Sequence, residues 1–431
     1  MQKQQCLIIL TLIAMVITLF TSCRTPTSSF SHSFSAPNDG TGGLSDQNNK
    51  SATEITFQLK LAGSPAGAGP YVSSGKGFYQ LDYTAEGQAN ILYSDYTSLQ
   101  QVYLCNRPEC LHNNDTCNSF VDVSDQILPG LVYCNSYLLL VTPTAGKNTL
   151  ANIQKISEDG SQRILLTEFP ANERLLGAIY ADSFQLVTTR ETAINANTIE
   201  RDIISINLET GTIKTLLQLD NNSSSICGAF ESNLIIKAIS ANNRDCSLLK
   251  IDLSNPTNSF TIKNWKIPEC FENITDTDLF LYNTSDNSFL RRDLKSGQEW
   301  IVNFNAQVDN LGLFHLVGGT FDHQLLFDLT TPETKSSAAL VDRYIINFEN
   351  SSIDKISLLD NRNRPISIVA EFDDSLICII GYSERHVMIS DPADSNNLIA
   401  AVSYTPQLAR ISKNDYLKSN PNFDLLSLIH I

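Results

Sequence analysis

Short apolar stretches alternate with turns along almost the whole chain. The turns are rich in Gly, Ser, Asn and Pro, and helical periodicity is nearly absent. Some stretches, such as Leu234-Ile235-Ile236, are apolar at every position. Continuous apolar runs bounded by turn residues are typical of strands that are buried on both faces. The pattern therefore predicts an all-β chain whose sheets are covered on both sides.

One turn pattern recurs at intervals of roughly 45 residues, a period typical of repeat architectures. An apolar-polar-apolar step is followed by turn residues and then by another apolar strand. The copies are residues 94–98, 156–160, 206–211, 251–255, 292–297 and 346–350, with a weaker seventh at 389–392. Four strands fit around each copy, in the third unit at 176–180, 184–189, 202–208 and 213–219. This spacing predicts a β-propeller of about seven four-stranded blades, although six or eight also fit.

A pair of β-sandwiches is the competing architecture, since it uses similar short strands. Sandwiches do not repeat the same turn seven times, so the propeller is favoured. We expect residues 54–431 to form the propeller, and the segment 54–60 to supply a strand that closes the ring in blade one.

The amino terminus predicts export and lipidation. Residues 1–22 carry Lys3, an apolar run and a small-residue exit, which is the layout of a secretory signal peptide. The apolar run is shorter than the about 20 residues of a transmembrane helix. Residues 20–23 resemble the bacterial lipobox, although Phe20 stands where an aliphatic residue is usual. The resemblance implies a lipid on Cys23 and anchoring at the extracytoplasmic face of the cell membrane. A plain signal peptide is the alternative.

Composition adds a tether and excludes one class of partner. Residues 23–53 are dominated by Ser, Thr, Gly, Asn and Pro, and such a segment buries too little apolar surface to order itself. We therefore predict a disordered leash between lipid and propeller. The net charge is −16, and no basic run is present. Nucleic acid is therefore not an expected partner, because binding to phosphates needs clustered Lys and Arg.

A cluster of soft ligands lies between the first two predicted blades, in an insert at residues 105–125. Cys105, Cys110, His112 and Cys117 form a C-x4-C-x-H-x4-C arrangement. Three thiolates and one imidazole are a ligand set for structural zinc, but the spacing is not that of a zinc finger. A disulfide within the cluster, with Cys134 completing a second pair, and unliganded thiols are the alternatives. The remaining cysteines interrupt apolar segments and are interpreted as small buried residues: Cys134, Cys227, Cys246, Cys270 and Cys378.

Two segments carry a resemblance to a known group of proteins. Residues 91–96, running on through Cys105 to Cys117, and the tail at 411–416 are similar to uncharacterised surface lipoproteins of clostridial-type anaerobes. Those proteins are described as TolB-like β-propellers without an established activity. The resemblance implies fold and location and leaves the activity open.

No catalytic set stands out. Zincin, nucleophile-elbow and EF-hand motifs are missing. His315, His323 and His386 could line the propeller mouth, whereas the pairs Asp373-Asp374 and Asp276 with Asp278 are interpreted as turn caps. We therefore expect a non-enzymatic binding module for an extracellular ligand or protein. A secreted hydrolase of glycans or peptides and a metal-handling protein are the alternatives.

Overall fold

The computed structural model describes residues 59–63, 71–83, 88–123, 127–147, 149–219, 224–240, 244–255, 258–266, 270–304, 314–331, 340–391 and 394–428. These residues form seven successive four-stranded antiparallel units, which we call blades one to seven. The predicted signal peptide, Cys23 and tether lie outside the described residues. Among the described residues, no helix is long and apolar enough to cross a bilayer.

The strands follow one another in this order. The first described strand is β1 (Lys60–Gly63). Blade one consists of β2 (Tyr71–Ser73), β3 (Gly77–Tyr83), β4 (Gln88–Asp95) and β5 (Gln100–Tyr103), and it is followed by β6 (Phe120–Asp122). Blade two consists of β7 (Gly130–Cys134), β8 (Tyr137–Thr142), β9 (Asn152–Ser157) and β10 (Arg163–Glu168), and blade three of β11 (Glu173–Ala181), β12 (Gln185–Asn195), β13 (Thr198–Asn207) and β14 (Ile213–Gln218).

Four further blades complete the series. Blade four consists of β15 (Ser224–Phe230), β16 (Asn233–Ile239), β17 (Asp245–Asp252) and β18 (Ser259–Lys266), and blade five of β19 (Cys270–Ile274), β20 (Asp278–Asn283), β21 (Ser288–Asp293) and β22 (Glu299–Asn303). Blade six consists of β23 (Phe314–Phe321), β24 (Gln324–Thr331), β25 (Leu340–Asn347) and β26 (Ser352–Ile356). Blade seven consists of β27 (Ser367–Phe372), β28 (Ser375–Asp391), β29 (Asp394–Ser412), α1 (Lys413–Leu417) and β30 (Asp424–Leu425), and it is followed by β31 (Ser427–Leu428).

Seven apolar clusters lie between the blades, one at each seam. Each cluster combines side chains from two neighbouring blades, and the series runs from the seam of blades one and two to that of blades six and seven. The last cluster packs Phe78 and Tyr96 of blade one against Ile377 of blade seven. The blades therefore form a closed β-propeller, which excludes the pair of β-sandwiches.

The apolar runs in the sequence explain this packing. Side chains alternate between the two faces of a strand, so a central strand that is apolar throughout can fill two seams. In β16, Leu234 and Ile236 pack towards blade three, whereas Ile235 packs towards blade five. The predicted burial of both faces is thus confirmed.

The recurring turn joins the third and fourth strands of most blades. In blades one, three and five the side chains of Asp95, Asn207 and Asp293 accept hydrogen bonds from the backbone N–H groups two and three residues later. These Asx turns are the physical basis of the repeat. The described residues of the weak copy, 389–391, have a different position, because they form the end of β28 in the β28–β29 hairpin. In blade seven α1, capped by Ser412, connects the last two strands instead.

Two terminal strands add to this ring. β1 pairs with both β7 and β11, which are the first strands of blades two and three. Of the strand expected at 54–60 to close blade one, residues 54–58 lie outside the described part of the chain, and Lys60 belongs to β1 and pairs with blade three instead. β31 instead pairs in parallel with β5 and extends the outer edge of blade one.

Candidate metal centre

The predicted cysteine cluster lies in a loop that interrupts the outer strand of blade one. β5 pairs with Leu92–Ser94 of β4, and β6 pairs with Gln88–Asn90 along the same edge. Between them the chain leaves the sheet at Leu104 and returns at Ser119. The loop is shorter than the insert predicted at 105–125, because residues 120–122 form β6. From here on, the insert means residues 104–119. Both of its ends are hydrogen-bonded to Ile91, because Leu104 N–H donates to the Ile91 carbonyl (2.9 Å) and Ile91 N–H donates to the Ser119 carbonyl (2.8 Å).

The insert brings the four predicted ligands together. The three Sγ atoms of Cys105, Cys110 and Cys117 and one ring nitrogen of His112 all lie within 4.8 Å of one another. In a tetrahedral zinc site, bonds of about 2.0–2.3 Å separate the ligand atoms by roughly 3.3–3.8 Å. A contraction of about 1 Å would thus close the set around an ion. These four residues could hold a metal.

The local backbone presents His112 to the thiols. His112 has a left-handed backbone, with φ of 54°, and its ring stacks on Tyr103 at 4.2 Å between centroids. Its Nδ1 atom lies 3.3 Å from Cys117 Sγ. The stacking restricts the ring, so one nitrogen is directed at the thiol cluster before any ion binds.

Cys117 is the buried member of the cluster, while the other three ligands are partly exposed. Burial acts to raise the pKa of Cys117, but hydrogen bonds with Ser119 and His112 outweigh it and lower the pKa to about 6. Ser119 Oγ lies 3.1 Å from Cys117 Sγ, and His112 Nδ1 lies 3.3 Å from the same sulfur. Donation from these groups favours the thiolate, which is the form that binds metals.

Two arginines flank the thiols. Arg107 Nη2 donates to Cys110 Sγ at 3.4 Å on the exposed side, and it also donates to the Thr116 carbonyl. Arg163, the first residue of β10, lies on the protein side. Its burial lowers its pKa, and the charge of Cys117 acts in the opposite direction. Negative charge on the cluster is therefore balanced from both sides.

The insert packs against the recurring turn of blade two. Asn118 Nδ2 donates to the Gly160 carbonyl at 2.6 Å. Gly160 has φ of +67°, and a Cβ atom there would lie 2.5 Å from the Leu104 carbonyl oxygen and 2.9 Å from Cys105 N. A glycine is thus required both by the backbone conformation and by the close approach of the first ligand.

No disulfide joins any two of the cysteines whose side chains are described. The cysteines with described side chains are Cys105, Cys110, Cys117, Cys134, Cys227, Cys246 and Cys378, and they carry free thiols. Cys134 lies in β7 and packs against the core between blades two and three. Burial raises its pKa to about 12, so it is not suited to ligation. The five cysteines predicted in apolar segments, including Cys270, all lie in strands.

A second polar cluster involves His323 and corrects one interpretation. Asp278 was expected to cap a turn, but it begins β20 and is buried. Its carboxylate accepts from Arg291 Nε at 2.7 Å, from Thr277 Oγ1 at 2.8 Å and lies 2.7 Å from His323 Nδ1. The buried carboxylate thereby links blade five to the first turn of blade six, an arrangement typical of a structural ion pair.

The remaining predicted residues lie apart from the insert. His386 is exposed on the β28–β29 hairpin, and His315 lies in β23, where only its backbone is described. Asp373 has a left-handed backbone in the turn between β27 and β28, as expected for a turn residue. The three histidines predicted at the propeller mouth thus belong to separate parts of blades six and seven.

Comparison with known proteins reaches the fold level only. No family model and no curated protein sequence matches the chain. Among solved structures the chain is similar to a puromycin-hydrolysing peptidase of Mycobacterium tuberculosis, with TM-score 0.48 and 11% identity over 86% of this chain and 53% of that one. It is also similar to TolB from Acinetobacter baumannii, with TM-score 0.36 and 14% identity over 83% and 80% of the two chains. The β-propeller domain of the trilobed protease of Pyrococcus furiosus has TM-score 0.35 and 10% identity over 57% and 82%.

The chain spans about half the length of that peptidase. These structural similarities say nothing about the activity of this chain. The propeller assignment rests on the seven blades and their seams, and TolB is one of the β-propeller proteins to which the chain is similar. Membership of the clostridial-type lipoproteins stays a prediction.

Sequence reasoning missed the residues that support the four ligands. Arg163 and Gly160 belong to blade two, and Ser119 reaches Asn90 in β4. One signal was available, because Gly160 is the last residue of the recurring turn in blade two, the blade that follows the insert along the chain. The partners of Arg163 depend on how two blades meet, which spacing alone does not give.

Proposed function

We propose that the chain is a lipid-anchored extracytoplasmic binding module, without an enzymatic activity of its own, built on the β-propeller. The lipobox-like residues that end at Cys23 support anchoring to the cell membrane. The observation that carries the binding role is the β28–β29 hairpin of blade seven, which extends far beyond its sheet and whose base is held in place.

The hairpin projects as a two-stranded ribbon, which we define as residues 381–391 and 394–407. Its strands pair with each other, whereas β27 pairs with β28 only as far as Ile379. At about 3.3 Å per residue the ribbon reaches about 35 Å from the blade. Isolated two-stranded ribbons are marginal in water and present unpaired edges. A projection of this kind suits contact with a protein partner.

The loop between β26 and β27 holds the base of the ribbon. Asn361 exchanges two hydrogen bonds with the backbone of Tyr382, at 2.7 and 3.0 Å. The Arg362 guanidinium lies 4.0 Å from the ring centroids of both Tyr382 and Tyr404. The buried Asp360 accepts from the N–H groups of Arg362 and Arg364 and fixes the loop. These contacts of Asn361 and Arg362 with the base of the ribbon set its direction.

A photo-cross-linking experiment in a bacterial host that displays the lipoprotein tests this role. A photoreactive phenylalanine analogue replaces Val402, which is 45% exposed on the ribbon, and the matched control replaces Asn350 in the recurring turn of blade six. The proposal predicts one discrete adduct from position 402 and none from position 350. Equal adducts at both positions, or none at either, would contradict it.

Anchoring is tested separately by Cys23→Ala. We expect the wild-type protein to fractionate with membranes and the variant to be released into the soluble fraction. Release of both proteins, or membrane retention of both, would contradict lipidation at Cys23.

We further propose that the insert holds one structural zinc ion through Cys105, Cys110, His112 and Cys117. The mutual proximity of the four ligand atoms supports this, as do the free thiols and the depressed pKa of Cys117. A closed set of four protein ligands is typical of structural zinc, since catalytic zinc keeps one position for water. Zinc would cross-link a segment that has little apolar surface to bury.

Hydrogen exchange with and without a chelator tests the structural role. Zinc removal should increase amide exchange across residues 104–119 by at least about tenfold, because a cross-link worth about 1.4 kcal/mol or more is lost. Blade four serves as the internal reference. Unchanged exchange in the insert after complete metal removal would contradict the role.

A further inference from the structure

Arg163 occupies an unusual position between the metal centre and blade two. Its Nε atom donates to Gln154 Oε1 at 2.6 Å within blade two. Its Nη1 atom donates to the Asn118 carbonyl at 3.2 Å and also to the Phe120 carbonyl. These two carbonyls belong to the segment that follows Cys117. One guanidinium therefore connects the outer strand of blade two to the last ligand of the insert.

The charge of Arg163 has no carboxylate partner among the described residues. Its polar partners are two carbonyl groups and one amide, and the acidic group whose charge acts on it is Cys117. A partly buried guanidinium without a counter-charge is costly. Three thiolates and one Zn²⁺ carry a net charge of −1, so an occupied centre keeps a negative charge beside Arg163.

We propose that Arg163 is a positioning residue of the metal centre and that, through it, metal binding fastens the insert of blade one to blade two. This inference rests on the zinc site proposed above. The metal stabilises the position of Arg163, and Arg163 in turn orients the Cys117 segment and balances its charge. Coupling of this kind is reciprocal, so loss of Arg163 weakens metal binding and loss of metal loosens the seam.

The neighbouring contacts support the same coupling. Asn118 and Gly160 join the insert to the turn that precedes Arg163. Groups outside the primary ligand set that orient metal ligands are commonly worth 10–100-fold in affinity. Arg163 also borders a cavity of about 170 Å³ lined by residues such as Val121, Leu140 and Thr142. A shorter side chain at this position thus leaves space and creates no clash.

The experiment compares the full mature chain with Arg163→Gln, Arg163→Lys and a matched control, Arg201→Gln, which removes a partly buried arginine from blade three. Zinc affinity is measured by competition with a chromophoric chelator, and the cobalt-substituted proteins are compared by their absorption spectra. Thermal unfolding of each variant confirms folding. We expect Arg163→Gln to weaken zinc binding about 10–100-fold and to change the cobalt spectrum. Arg163→Lys should fall between it and the wild type, and Arg201→Gln should match the wild type.

Hydrogen exchange in β9 and β10 is the second readout. Zinc should slow exchange there in the wild type and in Arg201→Gln, and it should not do so in Arg163→Gln. Wild-type affinity in Arg163→Gln, or equal protection of blade two in all variants, would overturn the coupling while leaving the metal site intact. A wild type that binds no zinc would overturn the metal site itself, and the coupling with it.

Discussion

The outer edges of blades one and three differ in the side chains that stabilise them. In blade three, β13 leads through a turn of five residues into the outer strand β14, and Ile204 and Ile206 of β13 and Leu208 of the turn are buried. In blade one, β5 is interrupted by the insert, in which Leu104, Cys117 and Ser119 are the buried residues and Leu111 is 82% exposed. Apolar burial can hold the first edge. The second has little to bury, so a cross-link between polar side chains is the physical alternative.

The largest effect is expected in the apolar edge. Ile206→Ala removes a buried side chain from the seam between blades two and three and leaves a cavity. We expect a loss of about 2–5 kcal/mol in the free energy of unfolding, measured by urea denaturation. Leu111→Ala, its counterpart in the insert, should change this free energy by less than about 0.5 kcal/mol. Equal losses in the two variants would remove the contrast between the edges.

A matched pair of glycines sharpens the comparison. Gly160 and Gly211 end the recurring turns of blades two and three, both with positive φ, and each lies against the outer strand of the preceding blade. Gly160→Ala and Gly211→Ala should each cost about 1–3 kcal/mol of stability, from backbone strain and the clash of the new Cβ atom. Zinc affinity should fall only in Gly160→Ala, because its neighbours are Leu104 and Cys105. Unchanged zinc affinity in Gly160→Ala would show that the turn does not support the metal centre.

The smallest expected effect is on the dependence of stability on pH under acidic conditions. In blades one, four and five the turn residues are Asp95, Asp252 and Asp293, and backbone or hydroxyl hydrogen bonds lower their pKa values. A lowered pKa contributes stability that is present above the unfolded value of about 3.9 and is lost as pH falls through the folded value. Blade three uses Asn207, which makes the same turn without a titrating group.

Asp293→Asn should therefore flatten the dependence of stability on pH below about pH 4 and change little at neutral pH. Urea unfolding between pH 2 and pH 7 measures this, with Asn207→Asp as the reciprocal variant that should steepen the acid dependence. Identical slopes in the wild type and both variants would show that the turn carboxylates do not contribute.

Periodicity was sufficient to predict the propeller, because each blade repeats the same local pattern. The strands predicted in the third unit agree with β11–β14 to within four residues at each end, except that β12 continues six residues further, to Asn195. The seventh turn was misplaced because Ile389 to Pro392 imitates its composition, whereas blade seven uses α1. The role of β1 depends on pairing with two separate blades, which no local pattern specifies.

The four candidate ligands could be singled out from the sequence because three cysteines and one histidine within a short segment are typical of a metal site. Their support was not predictable, since Arg163 and Gly160 meet the insert only after blades one and two have packed, and Asn90 meets it only when β6 pairs with β4. The same limit explains Asp278. In sequence it resembles a turn residue. Arg291 reaches it when β20 pairs with β21 inside blade five, and His323 reaches it only when blade five meets blade six.

Metal analysis of the anaerobically purified mature chain tests the central claim most directly. We predict one zinc ion per chain, replaceable by cobalt with the intense near-ultraviolet absorption of thiolate ligation, and a large loss of both in Cys110→Ser. A folded wild type without metal, or with Cys105, Cys110 or Cys117 paired in a disulfide, would contradict the account of the insert.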